Sequence, residues 1–379
     1  MITGLTIFDD HLTIKINDQN ALAYHYLWLR HHCRCDACVH PQTRETLVDP
    51  FGMPADISPS SSTLSDDHAS LQLEWPEGHS TQFTEDFLRD NAYSENKHGD
   101  DFMARGLPKP KPWTSETTQN PPTIEAAQIK SGDAGLKLWL EQLYTDGCSI
   151  VTGLEAEDGA LEKLCRRISF LRETNFGVGF SVVSLPNPNN VAYTPVELKA
   201  HVDLPNREMP PGIQFLHCIH NESTGGESLL VDGFAAALML KEKERSAFDL
   251  LATTPISFRF VDEGEDIRWT APVIGMDHLG GLQQIRYHMA LSAPLNLPFE
   301  KMTSYYDALR KFTECLRDPS IEMHLKLKPG EVMCFHNRRV LHGRSAFDPN
   351  TGKRYLKGCY VDCDDAWSKL RVLNGFNEK

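Results

Sequence analysis

Residues 198–205 read LKAHVDLP. His201 and Asp203 are two residues apart, and such a pair points to one side only on an extended strand, where side chains alternate with period two. The stretch therefore predicts a strand that ends in two aligned ligand side chains. Further strand patterns follow at 213–220 (IQFLHCIH), 228–232 (SLLVD), 255–260, 283–289, 321–327, 332–336 and 355–361. Helical patterns interrupt them at 234–248 and 299–316. Many strands with few long helices favour a mainly β catalytic domain, a β-sandwich or jelly-roll, over alternating βαβ units.

A third ligand type lies further along, in RRVLHGRSAF at 338–347. His201, Asp203 and His342 supply two imidazoles and a carboxylate, which can hold a non-haem Fe(II) on one face and leave the other open. His336 shares the strand parity of His342, so alternation does not separate them. His342 is preferred because Gly343 follows it and Arg354 lies twelve residues beyond. A guanidinium there can clamp a dicarboxylate through two hydrogen bonds. Ser228, beside Gly225 and Gly226, can donate a hydroxyl to the same carboxylate. The set predicts an oxygenase that uses Fe(II), 2-oxoglutarate and O2. A non-enzymatic, zinc-stabilised binding protein is the competing class.

Composition narrows the alternatives. The chain has 379 residues, 40% of them hydrophobic, enough for one large or two ordinary domains. A formal net charge of −14 offers no electrostatic case for nucleic acid or an anionic membrane. No run approaches the roughly 20 apolar residues of a membrane span. The first residues lack the basic and apolar regions of a targeting peptide, so the expected location is cytoplasmic.

Three regions are expected. Residues 1–95 form a small α+β domain, opening with a hairpin in LTIFDDHLTIKI at 5–16. Ser80 or Thr81 is placed as the cap of a helix carrying Phe83, Phe87 and Leu88. Residues 96–121, with GLPKPKPWTSETTQNP, read as a linker or arm anchored by Trp113. Residues 122–379 form the oxygenase domain, beginning with one helix over 126–147 and a strand at 148–154.

The small domain holds RHHCRCDACVH at 30–40. Cys33, Cys35 and Cys38 can reach one soft metal, and a fourth ligand would complete a tetrahedron. His79, in the turn sequence WPEGHS, is the preferred fourth ligand, while His31, His32 and His40 compete by proximity. Such a closed site would hold structural zinc. Reduced cysteines in a loop and an iron–sulfur cluster are the other readings.

Longer stretches carry a family likeness. They are WLRHHCRCDAC, WPEGHS, RETNFG, NNVAYT, HVD, PPGIQFLHCI, TGGESLLVDGF, RRVLHGRSAFD and YLKGCYVD. Through them the chain resembles the γ-butyrobetaine hydroxylase and trimethyllysine hydroxylase family, along nearly its whole length. The resemblance implies a double-stranded β-helix catalytic domain, a structural zinc on Cys33, Cys35, Cys38 and His79, and a homodimer. It implies iron on His201, Asp203 and His342, and 2-oxoglutarate against Arg354, Ser228 and Leu216. The implied reaction hydroxylates a small quaternary-ammonium acid, most like γ-butyrobetaine to carnitine, with succinate and CO2 as coproducts. Aromatic faces attract a trimethylammonium head, and Phe176, Phe180, Tyr193 and Tyr360, with Asn190 as a polar contact, are the candidates.

The chain departs from the family pattern at the acid end of the substrate. Leu204 follows HVD where the family often has Tyr or Asn. His288 and Met289 stand where asparagines face the substrate acid, and His336 replaces an aspartate before NRR. Methionine cannot donate the hydrogen bonds a carboxylate takes. A trimethylaminoalkyl phosphonate, met by Arg286 or His288, is therefore the alternative substrate.

Overall fold

The computed structural model describes residues 1–17, 21–93, 104–183 and 194–375. The chain divides into two units, Met1–Phe102 and Met103–Glu378. In the first, strands Ile2–Ile7, His11–Ile16 and Leu22–His25 make one antiparallel sheet. Strands Ser61–Leu64, Ser70–Glu74 and Ser80–Thr84 make another. Alternate residues Leu12, Ile14 and Ile16 pack with Tyr24, Leu71, Leu73, Trp75 and Phe83 in a core of their own. Ser80 and Thr81 cap no helix. They open a strand in which Thr81 and Phe83 are buried and Ser80, Gln82 and Thr84 exposed. The helix starts only at Glu85, where the Thr84 hydroxyl accepts from the Phe87 amide. The spacing of Phe83, Phe87 and Leu88 imitates a helical face across this strand-to-helix junction.

The second unit has two main sheets and, among the described residues, three two-stranded ones. The larger has six strands in the order Thr123–Glu125, Cys148–Thr152, Val332–His336, Ile213–Asn221, Arg354–Val361 and Gly179–Val182. The smaller has four, in the order Leu198–His201, Val340–Arg344, Ser228–Asp232 and Glu322–Leu325. One face of the larger sheet, through Ile213, Phe215, Val332, Cys334 and Val361, packs on Trp139, Leu140, Leu143, Leu164 and Leu370 of covering helices. The other face, through Leu216, Cys218, Met333, Phe335 and Leu356, joins a second core. That core includes Leu230 and Leu341 of the smaller sheet and residues of helices Gly233–Lys243, Arg245–Thr253 and Phe299–Leu316. Burial on both faces explains why these strands read as continuous apolar runs.

The expected mainly β, double-stranded β-helix (jelly-roll) domain is corrected by this topology. The fold is mixed α/β, and its sheets are open and end in edge strands rather than closing into a barrel. Period-two patterning reports which faces are buried. It carries no information on whether the first and last strands of a sheet pair, nor on how much helix covers it. The helix expected over 126–147 is likewise two, Ala126–Ser131 and Asp133–Thr145, separated by an extended Gly132. Among the described residues, no helix is long and apolar enough to cross a membrane.

One buried ion pair locks the elements behind the site. Arg339 and Asp232 are 1% and 0% exposed and meet at 2.8 and 3.1 Å. Asp232 also accepts from the Phe234 amide, capping the helix Gly233–Lys243, and from the Trp113 amide. Arg339 donates in turn to the Lys111 and Thr145 carbonyls. Trp113 is buried, and its stretch is thereby tied to these elements. Asp232→Ala strands a buried guanidinium and is expected to cost about 3–5 kcal/mol, read from a chemical denaturation midpoint. A midpoint within experimental error of the wild type would refute this account of the lock.

Candidate active site

His201 is the last residue of strand Leu198–His201, in register with His342 on the neighbouring strand. Gly343 lies within that second strand and provides close approach rather than a turn. A β-carbon there would sit 2.6 Å from the Leu198 carbonyl oxygen. Beyond His201 the backbone is held residue by residue. The Val202 amide donates to the Tyr287 carbonyl at 3.0 Å. The Asp203 amide donates to Asn337 Oδ1 at 2.7 Å, and Asn337 Nδ2 donates back to the Asp203 carbonyl. Leu204 then takes a left-handed φ of 54°, an unusual conformation for a bulky residue, and turns the chain into Pro205.

These constraints converge three ligand atoms. One atom from each of His201, Asp203 and His342 lies within 4.8 Å of the others. Asp203 Oδ1 is 3.3 Å from His201 Nε2 and 3.7 Å from His342 Nε2. Ligands about 2.1 Å from an octahedral centre are about 3 Å apart, so a small closure accommodates one metal ion. His201 Nδ1 faces the Lys199 carbonyl at 2.8 Å, which assigns that nitrogen the proton and leaves the Nε2 lone pair for a metal. Tyr360 donates to Asp203 Oδ2 at 2.6 Å. Burial pushes the Asp203 carboxyl up, but His342, His201 and the Tyr360 hydroxyl outweigh it and hold it below the ordinary range. Burial, with His201 beside it, lowers His342 to about 3, so its imidazole is neutral as a ligand must be.

His336 is excluded from the set. It shares the face of Val332 and Cys334, opposite to the metal ligands, with its ring 5.7 Å from Trp367. Burial and the charges of Arg338 and Arg339 lower it to about 3.

Arg354 begins the strand that ends near Tyr360. Its Nε is buried without a partner, and its guanidinium lies 5.3 Å over the Phe347 ring. Burial and the nearby Arg344 lower it to about 10, so it stays cationic at neutral pH. Ser228 is buried in register with Arg344 on the adjoining strand. Leu216 is buried opposite Gly358, over which the Phe180 ring lies so closely that a β-carbon would collide with it.

The aromatic candidates separate. Phe180 and Tyr360 meet at 5.1 Å, next to Asp203. Phe176 is half-buried and packs edge-on against Phe260 at 5.8 Å. Asn190 and Tyr193 lie outside the described residues. The His288 ring lies 4.3 Å from that of His201, tilted by 46°, with its Nδ1 buried and without a partner. Met289 starts a short 3-10 turn and is 41% exposed. Arg286 is buried, and its Nη atoms donate to the carbonyls of Pro205, Arg207 and Glu208. It braces the loop after HVD and is removed from the anion-binding candidates. Asn337 was missed from sequence, since NRR gives no sign that an amide there reaches back to residue 203.

The first unit contains a second cluster, Cys33, Cys35, Cys38 and His79. His79 Nε2 is 3.3, 3.7 and 3.5 Å from the three sulfurs in that order. A tetrahedral zinc with bonds of about 2.3 Å to sulfur and about 2.0–2.1 Å to nitrogen would space these atoms by about 3.6 Å, so the four residues fit that ion. Arg30 donates to Cys38 Sγ, placing positive charge beside the sulfurs. The rival His32 is engaged instead with the Trp28 carbonyl, and His40 with the Gln42 and Thr43 amides.

Comparison with known proteins follows the same division. Residues 109–360 match the taurine catabolism dioxygenase TauD, TfdA family, and residues 7–89 the γ-butyrobetaine hydroxylase-like N-terminal family. The chain is 39% identical over 366 residues to a γ-butyrobetaine dioxygenase of Pseudomonas sp. (strain AK-1), covering 97% of this chain and 94% of that protein. It is 32% identical over 373 residues to the mitochondrial trimethyllysine dioxygenase of Rattus norvegicus, covering 96% and 86%. Among solved structures, AAD-2 in complex with Mn(II) and N-oxalylglycine aligns with a TM-score of 0.50 at 11% identity, covering 64% of this chain and 94% of that one, a likeness of fold.

Proposed function

We propose, because this chain belongs to the TauD, TfdA dioxygenase family and carries a γ-butyrobetaine hydroxylase-like N-terminal domain, that it hydroxylates a small quaternary-ammonium acid, most like γ-butyrobetaine. The chain is an Fe(II)/2-oxoglutarate-dependent dioxygenase, and its His201, Asp203 and His342 fit the metal. When bound, Fe(II) with 2-oxoglutarate and O2 supplies the oxidation, and the cosubstrate leaves as succinate and CO2.

The protein's own residues take the remaining tasks. Arg354 and Ser228 receive the distal carboxylate of 2-oxoglutarate, and Leu216 packs along its chain. Phe180 and Tyr360 receive the trimethylammonium head, with Phe176, Tyr193 and Asn190 as further wall contacts. Cation–π attraction is worth about 2 kcal/mol once desolvated, and a trimethylammonium head, with no N–H groups to strip of water, keeps it on an aromatic wall where a primary ammonium loses it to desolvation. His288 offers an imidazole nitrogen to the acid end, while Met289 borders the site. The observation that carries the reading is the Phe180–Tyr360 pair, 5.1 Å apart, with Tyr360 hydrogen-bonded to a metal ligand. It seats an aromatic wall beside the oxidising centre. The Cys33, Cys35, Cys38 and His79 set holds structural zinc.

A panel of γ-butyrobetaine, trimethyllysine, a trimethylaminoethyl phosphonate and the unmethylated amines tests this, scored by product mass and succinate release. The expected outcome is turnover of γ-butyrobetaine and a loss of at least about tenfold in kcat/KM for its unmethylated amine. Turnover of the phosphonate alone keeps the aromatic wall and removes the carboxylate assignment. Preference for an unmethylated amine overturns both.

A further inference from the structure

The central strand of the larger sheet carries one polar side chain that none of these roles uses. Gln214 is 1% exposed, and its Oε1 is buried without a hydrogen-bond partner. Its position in the sheet sets where it points. Ile213 and Phe215 belong to the helix-covered core, and Leu216 and Cys218 to the opposite one, so Gln214 faces the same side as Leu216. Its two cross-strand partners are Phe335 and Tyr360. Directly paired side chains start about 4.5–5.5 Å apart. Phe335 lies ring to ring with His342 at 4.9 Å, and Tyr360 donates to Asp203. Gln214 is therefore bracketed by the two residues that touch two different metal ligands.

We propose that Gln214 is a positioning residue for the metal-binding, 2-oxo-acid end of the cosubstrate. Arg354 and Tyr360 share one face of strand Arg354–Val361, with Arg354 at its far end. A dicarboxylate whose distal group meets the long Arg354 side chain and whose chain passes Leu216 runs along this face toward Gln214, two residues further on. A carboxamide offers one acceptor and two donors and can turn end for end about its last bond. Its N–H can donate to a carboxylate oxygen there, and its oxygen can accept from water when that place is solvated. An unsatisfied buried oxygen weakens the fold by about 1–3 kcal/mol, which is consistent with a site that gives up stability for a ligand contact. This role rests on the places proposed for Arg354 and Leu216 against 2-oxoglutarate, and not on which amine is hydroxylated.

The test uses the full-length protein under anaerobic conditions, loaded with Fe(II) and titrated with 2-oxoglutarate. Binding is followed by the visible charge-transfer band, with the wild type as control. Q214L is expected to weaken 2-oxoglutarate binding by about tenfold or more and to displace the band. Its Fe(II) affinity should be unchanged, and its unfolding midpoint unchanged or raised, because an apolar near-isostere removes the unsatisfied oxygen. Q214E sets a carboxylate against a carboxylate and is expected to weaken binding further. Wild-type affinity and band position in both variants would overturn the proposal. So would parallel loss of stability, Fe(II) affinity and cosubstrate affinity, which marks a purely structural residue. If Q214L does not fold, Q214E and Q214N decide on the same titration: weakened cosubstrate with intact Fe(II) binding supports the assignment, and unchanged cosubstrate binding removes it.

Discussion

Changing His201 and Asp203 together to alanine is expected to abolish turnover and leave the unfolding midpoint close to that of the wild type. The two effects separate because these side chains serve the metal rather than the core. The apolar clusters of this unit pass around them through Val202, Leu216, Phe335 and Leu341. The Asp203 backbone keeps both its bonds to Asn337 whatever the side chain is. Losing the carboxylate gives up the His342, His201 and Tyr360 contacts that outweigh its burial, so a small loss of about 1 kcal/mol is expected with the fold retained. Iron should be lost outright. Removing an outer partner of a ligand typically costs about 10–100-fold in metal affinity or activity, which is the range expected for Tyr360→Phe. Removing two ligands should exceed it. Iron content, the anaerobic 2-oxoglutarate band and succinate release measure the two variants together. Residual succinate release by the double variant above that of metal-free protein would place the metal elsewhere. A double variant that fails to fold would show that the site is part of the core after all.

Much of this centre is legible in the sequence because its signals are local or chemical. The spacing of His201 and Asp203 signals a shared metal position, although the strand ends at His201 and Asp203 lies past it, held by Asn337; three cysteines within six residues restrict their own geometry. What the sequence hides is long-range. His336 and His342 have equal parity but lie on different strands, and a tight turn between them places their side chains on different sheets. Asn337, in that turn, reaches a backbone 134 residues away. Arg286 reads as a free cation until its Nη atoms are seen to be consumed by three carbonyls. Phe176 and Phe180 sit four apart in one short stretch, yet they contact Phe260 and Tyr360 respectively. Sheet closure belongs to the same class. The apolar runs at 213–220 and 332–336 state that both faces are buried, and an open sheet covered by helices satisfies that as well as a barrel does.

Replacing Cys35 with serine should produce the largest change in stability, confined to the first unit. The segment from Cys33 to Ser60 holds little regular structure beyond the turn Pro50–Gly52 and an isolated pairing of Val39 with Thr46. Its attachment to the hairpin carrying His79 rests on the four-residue cluster, on Ser60, whose amide and hydroxyl donate to the Glu74 carbonyl, and on Ile57 packed against the core; Arg30, just before the segment, adds a pair with Glu77 at 2.8 Å that is half-exposed and screened. Structural zinc contributes about 10–16 kcal/mol of apparent binding energy, which in such sites is folding energy. A domain of this size has a total stability of only about 5–15 kcal/mol, so the metal-free unit is expected to lose the fold around the cluster. Hydrogen exchange should show protection lost over residues 33–60 and 75–79 and retained in strand Ile213–Asn221, which belongs to a separate core. Metal analysis should find one zinc per chain in the wild type and none in Cys35→Ser. His79→Ala should reproduce the loss, whereas His32→Ala and His40→Ala should not, because their rings are engaged away from the cluster. Protein purified without chelator and free of zinc, yet fully protected over residues 33–60, would mean that packing and hydrogen bonds hold this segment and that the four side chains have another use.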